Sequence, residues 1–237
     1  MFFEEHAKLL SDFARVSQAA GARADYVQGG GGNTSVKLPG GLMAIKASGF
    51  CLSDIRPDKA YAVLDGADLR NFYLTTEPSA LADVEKEGSA RAKADVRHID
   101  GLADLRPSVE AGFHSILKTF VVHTHSVYAN LAACSTACRP IAAQAFAGAN
   151  YTWGWVPYTD PGANLTFAIR DELRRVEKET GKIPSVILMQ NHGIIVHDDD
   201  PDTALAIHTD ANERLARMFG LSGTSFPKIA VREMAEH

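Results

Sequence analysis

Two short alternating runs around a Pro-Gly-Gly turn place the strongest constraint on how this chain can fold. Residues 35–38 and 42–46 alternate in side-chain character, and Pro39-Gly40-Gly41 separates them. This pattern is typical of a β-hairpin, because proline and glycine favour tight turns and alternate residues of a strand face opposite sides. The sequence therefore predicts an antiparallel strand pair in this region.

Helix and strand patterns alternate along the rest of the chain. Apolar residues at helical spacing predict helices at residues 4–20, 127–134, 163–180 and 202–219. Short apolar runs predict strands at residues 61–64, 120–123, 186–189 and 194–196. Ser108 is the expected N-cap of one more helix, which places Glu110 in its first turn. The predicted fold class is α/β with a mostly antiparallel sheet.

The helix and strand patterns continue along the chain without a linker, which bears on the number of domains. The chain has 237 residues and no internal repeat, so one large domain accounts for it. Residues 83–100 are charged and poor in large apolar groups, while strong patterns continue on both sides. We therefore expect a single domain over residues 1–237, with a mobile excursion at about 83–100.

Composition and charge exclude several classes of function. Lys and Arg number 24 and Asp and Glu 29, a net charge of −5, whereas nucleic-acid binding favours a basic face. The apolar runs are far shorter than the roughly 20 residues that span a bilayer. The first residues carry acids where a secretory signal carries basic residues. These features predict a cytoplasmic protein that binds neither nucleic acid nor membrane.

Three histidines form the most specific chemical pattern. His123 and His125 flank Thr124 at the end of an apolar strand, and residues two apart in a strand face the same side. His192 follows another strand, next to Gly193, whose backbone freedom can aim a side chain inward. Three histidines with one open position are the ligand set of a catalytic zinc ion, which acts as a Lewis acid. Alone, the first two histidines are equally compatible with a half-exposed surface pair.

Glu110 lies about one helix length before the histidine pair and has two interpretations. An acid in the first turn of a helix stabilises the helix dipole and needs no further function. A carboxylate beside a bound cation can instead act as a general acid and base. The position just upstream of His123 favours the second interpretation. His114 shares a helix face with Glu110, and an ordinary helix contact is the simpler explanation of that pair.

Four consecutive glycines, Gly29 to Gly32, precede Asn33 and the first strand. The run lacks the Gly-Lys-Ser/Thr ending of a Walker loop, and a strand follows it where nucleotide-binding loops lead into a helix. It is either a flexible turn or an anion nest made by its N–H groups and the Asn33 amide. Ser48-Gly49 and Ser108 supply further small polar groups. If these elements converge near a metal, they would suit a phosphate or a carboxylate.

Five motifs occur in the order and approximate spacing found in one enzyme family. They are Gly32-Asn33-Thr34-Ser35, Ala47-Ser48-Gly49, Ser108-Val109-Glu110, His123-Thr124-His125 and Gln190-Asn191-His192-Gly193. In these motifs the chain resembles the class II aldolase/adducin family, which includes L-fuculose-1-phosphate and L-rhamnulose-1-phosphate aldolases and L-ribulose-5-phosphate 4-epimerase. The Arg-Pro-Ser-Val-Glu and Val-His-Thr-His segments are most similar to the aldolase domain of rhamnulose-phosphate aldolase/alcohol dehydrogenase fusions.

The resemblance implies a three-layer α/β/α fold in a C4 homotetramer, with a divalent cation at the subunit boundary. Zn²⁺ is the expected cation, with Mn²⁺ or Co²⁺ as alternatives. By resemblance, the metal ligands are His123, His125 and His192, and the catalytic acid/base is Glu110. The residues implied to hold the substrate phosphate are Gly32, Asn33, Ser48, Gly49 and Ser108.

The implied activity is cleavage of a ketose, with a 1-phosphate as the expected form, to dihydroxyacetone phosphate and an aldehyde through a metal-stabilised enediolate. Val109 stands where the fuculose-phosphate aldolases have a second serine, so one phosphate hydroxyl is missing. This departure keeps open a same-fold sugar-phosphate epimerase, dehydratase or decarboxylase. Tyr128, Tyr151 and Tyr158 are weak substitutes for the aldehyde-side tyrosine of those aldolases. A non-catalytic adducin-like module is the remaining alternative, but it predicts lost metal ligands.

Overall fold

The computed structural model describes residues 1–222, and within them eight strands form one sheet. The strands are β1 (Asn33–Leu38), β2 (Leu42–Lys46), β3 (Tyr61–Asp65), β4 (Val96–Arg97), β5 (Phe120–Thr124), β6 (Trp153–Val156), β7 (Val186–Met189) and β8 (Gly193–Asp198). The helices are α1 (Phe2–Glu5), α2 (Ala7–Gly21), α3 (Gly66–Thr75), α4 (Val84–Ala94), α5 (Ala111–Ile116), α6 (Val127–Ala133), α7 (Cys138–Ala145), α8 (Ala163–Thr180) and α9 (Pro201–Met218). None of the helices in this described part is long and apolar enough to cross a bilayer.

The sheet is almost entirely antiparallel. Its strand order is β4-β3-β2-β1-β5-β8-β7-β6, and β6 with β7 is the parallel pair. The predicted hairpin is confirmed, since β1 pairs with β2 with Ser35 opposite Ile45. In its turn Gly40 and Gly41 have φ of 75° and 79°, which glycine adopts without steric cost. The prediction of a mostly antiparallel sheet is therefore confirmed.

Helices cover both faces of the sheet, so the fold has three layers. One face packs on α3, α4, α5 and α8, and the other on α2, α6, α7 and α9. In β5, Val121 belongs to the first core, whereas Phe120 and Val122 belong to the second. A strand buried on both faces needs apolar residues at consecutive positions, which explains the unbroken apolar run in the sequence. The predicted α/β/α architecture is confirmed.

Residues 83–100 contain regular structure where the sequence predicts a mobile excursion. The Asp83 carboxylate caps α4 by accepting from the Lys86 N–H, and β4 pairs with β3. Gly88 lets α4 approach α8 closely, because a Cβ there would lie 2.4 Å from the Cβ of Ala163. The sequence pattern hides this helix because its apolar side chains are few and mostly small. The patterns also miss α3, β6 and α7.

The helix predicted to start at Ser108 starts later. α5 begins at Ala111, and Glu110 occupies the N-cap position, so the prediction that Ser108 is the N-cap is wrong. Pro107 is bridged to Ala47 beside the sheet, and this extended backbone delays the helix. Glu110 thus lies at the junction between an extended segment and a helix.

Antiparallel pairing brings four chain segments to one edge of the sheet. β1 begins there with Asn33, and β5 ends there with Thr124. β7 ends at the same edge, where residues 190–192 connect it to β8. Asn33 lies opposite His123 in the register of β1 and β5. The predicted metal ligands and the end of the glycine run therefore meet at this edge.

Candidate metal centre

Three imidazole rings meet at this sheet edge. His123 and His125 come from the end of β5, and His192 comes from the turn between β7 and β8. The ring centroids are 4.9 to 5.1 Å apart, and one nitrogen from each ring lies within 4.8 Å of the other two. The Nε2 atoms of His123 and His125 are 3.1 Å apart. Two nitrogens bound to one tetrahedral zinc ion at about 2.0–2.1 Å are about 3.3 Å apart, so the spacing fits a shared cation.

The protonation of the rings suits metal binding. His123 is fully buried, and its Nδ1–H donates to the Ile194 carbonyl across 3.0 Å. This bond leaves the Nε2 lone pair free to bind a metal. Burial lowers the pKa of His123 to about 3 and also lowers the pKa of His125, with His192 acting in the same direction on both. Both rings are therefore neutral near pH 7, which is the form that coordinates a cation.

Two glycines give the backbone room to pass close to the imidazole cluster. Gly32 has a φ of 71°, and a Cβ there would lie 2.6 Å from the His123 carbonyl oxygen. At Gly193 a Cβ would lie 2.4 Å from the Thr124 carbonyl oxygen. The sequence predicts backbone freedom at Gly193, but the left-handed residue of this turn is Asn191, with a φ of 53°. Gly193 is needed for the space between β5 and β8.

The Glu110 carboxylate lies against the imidazole cluster. It is buried, with Oε1 3.1 Å from His192 Nε2 and Oε2 3.6 Å from His123 Nε2. Asn33 donates from Nδ2 to Oε2 across 2.6 Å. Burial alone would raise the pKa of Glu110, but the two histidines and the Asn33 amide together hold that pKa below its usual range. The structure therefore places an ionised carboxylate beside the three candidate ligands.

Three of the residues predicted to hold a phosphate lie close to Glu110. Asn33 also donates to Ser108 Oγ across 3.1 Å, and Ser108 Oγ accepts from the Glu110 N–H across 3.3 Å. Gly32 precedes Asn33 and passes over the backbone of His123. Asn33, Ser108 and Gly32 therefore lie together beside the Glu110 carboxylate.

Ser48 and Gly49 lie in a loop tied to the segment that leads to α5. Ser48 N–H donates to the Arg106 carbonyl across 2.8 Å, and the Arg106 guanidinium donates to Ser48 Oγ across 3.0 Å. A bridge between Ala47 and Pro107 adds to this pairing. Gly49 has a φ of 89° with open space around its Cα. The loop therefore adjoins the Glu110 segment without a hydrogen bond to the imidazole cluster.

Sequence reasoning missed Arg106 and Lys46 near this site, and it gave His114 only an ordinary helix contact. Arg106 is exposed beside Ser48 and forms no ion pair within residues 1–222. Lys46 is buried, and its Nζ donates to the Phe50 carbonyl across 2.6 Å; burial lowers its pKa. His114 is fully buried in the last turn of α5. The sequence signal for Arg106 is the Arg-Pro-Ser-Val-Glu motif, and the signal for His114 is its four-residue spacing from Glu110. Neither signal shows which residue the side chain contacts.

Two other features include no residue of the imidazole cluster. Each of the candidate tyrosines, Tyr128, Tyr151 and Tyr158, donates its hydroxyl to another group of the protein at 2.8 to 3.1 Å. A cavity of about 610 Å³ is lined by residues that include Lys37, Arg70 and Lys118, and by none of the metal candidates. The candidate site is therefore the sheet edge itself and does not include this cavity.

Comparison with known proteins identifies the family. The family model of the class II aldolase and adducin N-terminal domain matches residues 11–219. The chain belongs to the class II aldolase and adducin family. All five sequence motifs lie inside the matched range. A search of curated proteins finds none that matches the chain.

Solved class II aldolase structures share the fold. The N-terminal class II aldolase domain of a conserved Thermoplasma acidophilum protein has a TM-score of 0.72 at 20% identity, with 89% of this chain and 93% of that chain covered. The L-fuculose-1-phosphate aldolase of Thermus thermophilus has a TM-score of 0.54 at 14% identity, with 91% and 95% covered. YgbL of Klebsiella pneumoniae, whose description leaves aldolase, epimerase and decarboxylase open, has a TM-score of 0.61 at 17% identity, with 98% of each chain covered.

The donor set fits the divalent cation on which class II aldolases generally depend. Within residues 1–222, His123, His125 and His192 are the group of side chains brought close enough to share a metal ion. Three imidazole ligands leave a coordination position open for a substrate. The buried hydrogen bond to His123 Nδ1 also orients that ring, as the outer partners of metal ligands do.

Proposed function

We propose that this chain is a divalent-metal-dependent aldolase that cleaves a ketose 1-phosphate into dihydroxyacetone phosphate and an aldehyde. The observation that carries the proposal is the contact between Glu110 and the imidazole cluster, at 3.1 Å from His192 and 3.6 Å from His123. A buried carboxylate in this position can move a proton at a substrate held beside the cation. Membership in the class II aldolase family supports lyase chemistry.

The three histidines are the proposed metal ligands. His123, His125 and His192 would hold Zn²⁺, with Mn²⁺ or Co²⁺ as the alternatives. When bound, the cation supplies Lewis acidity that polarises the substrate carbonyl. The His123 ring is preorganised for metal binding, because the Ile194 carbonyl fixes its orientation and burial keeps it neutral. We further propose a cytoplasmic homotetramer with this site at the subunit boundary.

Glu110 is the proposed general acid and base. As the C3–C4 bond of the ketose breaks, the C4 hydroxyl loses its proton and becomes the aldehyde carbonyl. The ionised Glu110 carboxylate accepts that proton and delivers it to C3, and in synthesis the two transfers run in reverse. The two carboxylate oxygens differ in their surroundings: Oε2 accepts from the Asn33 amide, whereas Oε1 faces His192 Nε2 at 3.1 Å and has no other donor near it among the described residues. Oε1 is therefore the oxygen that we propose to carry the proton, while Oε2 holds the carboxylate in place.

The small polar groups around Glu110 are proposed to bind the anionic end of the substrate. Gly32, Asn33, Ser48, Gly49 and Ser108 are the proposed phosphate-binding residues. Arg106 adds a cation beside Ser48, and an exposed guanidinium without an ion pair among residues 1–222 suits bidentate binding of a phosphate. This cation compensates for the hydroxyl that is missing at Val109.

A panel of ketose 1-phosphates tests the proposal. The released dihydroxyacetone phosphate would be measured in a coupled assay on the metal-loaded protein. We expect release from at least one member of the panel, and we expect Glu110→Gln to retain the metal but lose most turnover. Full activity of Glu110→Gln would remove this residue from the mechanism.

Val109 supports a second candidate function. Its side chain is 65% exposed and offers no hydroxyl where the fuculose-phosphate aldolase pattern has serine. A sugar-phosphate epimerase, dehydratase or decarboxylase would use the same metal and carboxylate on a differently held substrate. Metal-loaded protein that releases no ketone from any ketose 1-phosphate would favour this second candidate over the aldolase.

A further inference from the structure

We propose that His114 is a positioning residue that orients the side-chain amide of Asn33 so that it donates to Glu110. The inference rests on the proposed function, in which Glu110 is the acid and base. His114 is fully buried and is not one of the three imidazoles of the metal cluster. Its ring lies between β1 and α5, where it contacts the residue that hydrogen-bonds Glu110 Oε2.

Four side chains, those of Asn33, Ser35, Glu110 and His114, form one hydrogen-bonded group, and two local rules place them there. Asn33 and Ser35 are two apart on β1, so their side chains leave the same face of the sheet. Glu110 and His114 are four apart at the start of α5 and share a helix face. The two faces meet, because His114 Nδ1 lies 2.7 Å from Ser35 Oγ and His114 Nε2 contacts Asn33 Oδ1. The hydrogen bond from Asn33 to Glu110 completes this group.

The direction of every hydrogen bond in this group follows from the Asn33 amide. Asn33 donates from Nδ2 to Glu110 Oε2 across 2.6 Å, so its carbonyl Oδ1 faces His114. Because Oδ1 can only accept, the hydrogen of the His114 ring must be on Nε2. Burial holds the pKa of His114 well below its usual range, so the ring is neutral and Nδ1 carries a lone pair. The Ser35 hydroxyl donates to that lone pair, and each group has one consistent role.

As a consequence, His114 restricts the Asn33 carboxamide to one of its two possible orientations. The two ends of a carboxamide have nearly the same shape, so packing alone does not decide which end faces Glu110. The His114 N–H, fixed at the Oδ1 end, selects the orientation in which the NH₂ group faces Glu110, and the carboxylate favours the same orientation. Without that donor the amide can rotate and present its oxygen to the carboxylate, or leave its own oxygen buried without a partner. Glu110 Oε2 then loses the group that holds it.

The position of the ring is itself held by the backbone. Lys37 donates from Nζ to the His114 carbonyl, which ties this turn of α5 to β1. The ring stacks on Phe113 with 4.7 Å between centroids and 24° between planes. A variant at His114 that keeps its volume therefore keeps the helix position and removes only the donor.

Four variants test the inference: His114→Gln, His114→Phe, Asn33→Ala and the double variant His114→Phe/Asn33→Ala. Glutamine restores an N–H donor near the Nε2 position, whereas phenylalanine fills the space without one. His197→Phe is the control, because His197 is equally buried and lies outside the candidate site. Nitrogen-15 NMR of histidine-labelled protein reports the tautomer of His114 without any turnover.

We expect a neutral His114 ring with its hydrogen on Nε2 at pH 7. We expect His114→Phe to lower kcat about tenfold, the size of one lost hydrogen bond, with KM and metal content near the wild-type values. His114→Gln should recover most of kcat, and His197→Phe should keep it. The double variant should be no slower than Asn33→Ala alone, because both changes remove the same bond.

Two results would overturn the inference. One is a His114 ring with its hydrogen on Nδ1 and none on Nε2, which removes the donor to Asn33 Oδ1. The other is a His114→Phe enzyme with wild-type kcat, or a loss that glutamine does not recover, which leaves His114 a structural link between β1 and α5. If the wild-type protein cleaves no substrate, the proposed function fails while the NMR measurement still decides how His114 and Asn33 are oriented.

Discussion

The side-chain amide of Asn33 donates to Glu110 Oε2 across 2.6 Å, joining two residues that are 77 positions apart in the chain. This bond links the end of the glycine run to the start of α5. Asn33 lies opposite His123 in the sheet, so the bond also sets the distance between the carboxylate and the imidazole cluster.

Asn33→Asp should damage turnover more than Asn33→Ala. Both variants lose the donor to Glu110 Oε2, a hydrogen bond to a charged group that contributes about 1.5–3 kcal/mol. The aspartate also places a second carboxylate beside Glu110, which raises the pKa of one of the two. We expect kcat to fall roughly 10- to 100-fold in Asn33→Ala and further in Asn33→Asp. Steady-state kinetics with metal content as the control measures this, and equal kcat in both variants would contradict the role of charge.

Gly32→Ala should destabilise the protein more than Gly29→Ala does. Both glycines have positive φ, at 71° and 58°, so each alanine incurs about 1–2 kcal/mol of backbone strain. At Gly32 the new Cβ also meets the His123 carbonyl oxygen at 2.6 Å, whereas nothing lies within 4 Å at Gly29. We expect a further loss of about 1–3 kcal/mol in the free energy of unfolding for Gly32→Ala. Denaturant titration of both variants measures the difference, and equal losses would show that the close approach is relaxed in solution.

Much of this site could be predicted from the sequence, because local rules control it. His123 and His125 share a face through the two-residue period of a strand, and the family motifs identify His192. The role of His114 could not be found in this way. Its partners lie about 80 positions away on β1, and only the pairing of β1 with β5 brings the two segments together.

In the fold, too, some elements are determined by local sequence and others by contacts between distant segments. The hairpin and the long amphipathic helices follow from turn residues and apolar spacing. The helix α4 does not, because Gly88 matters through its contact with Ala163 on α8, which no local pattern contains. The observed start of α5 differs from the predicted one for a similar reason, since the bridge from Pro107 to Ala47 holds the preceding segment extended.

Val109→Ser should increase affinity for a phosphorylated substrate. Val109 is exposed next to Ser108, so a hydroxyl there can reach a bound anion without burying a polar group. One added hydrogen bond to a charged group contributes about 1.5–3 kcal/mol, so we expect KM to fall about tenfold or more. The same change should leave KM for the unphosphorylated sugar unaltered. A parallel change in both KM values would show that Val109 acts through something other than the phosphate.

Acid should destabilise the protein through its buried neutral histidines. Burial lowers the pKa of His197 and of His208 to about 3, below the value of about 6.5 in the unfolded chain. Between pH 6.5 and 3 the unfolded state therefore binds more protons, and stability falls as the pH falls. The stability that each neutral ring supplies above pH 6.5 is lost through this window.

His197→Leu isolates one of these contributions. The variant cannot bind a proton at this position, so its free energy of unfolding should fall less than that of the wild type between pH 7 and pH 4. The difference should be at most about 3 kcal/mol, from roughly 2.5 pH units at about 1.36 kcal/mol each. His98→Leu is the control: the Asp104 carboxylate raises the pKa of this exposed ring, so its removal should not reduce the fall. Identical slopes for His197→Leu and the wild type would contradict the buried neutral ring.

Metal content measured by elemental analysis tests the central claim most directly. We expect one divalent cation per chain in the wild type, and loss of that cation in His123→Ala, His125→Ala and His192→Ala. Glu110→Gln and His98→Ala should keep it, since neither residue belongs to the three-imidazole set. A wild-type protein that binds no divalent ion, or a His123→Ala variant with unchanged metal content, would contradict the assignment of this metal centre.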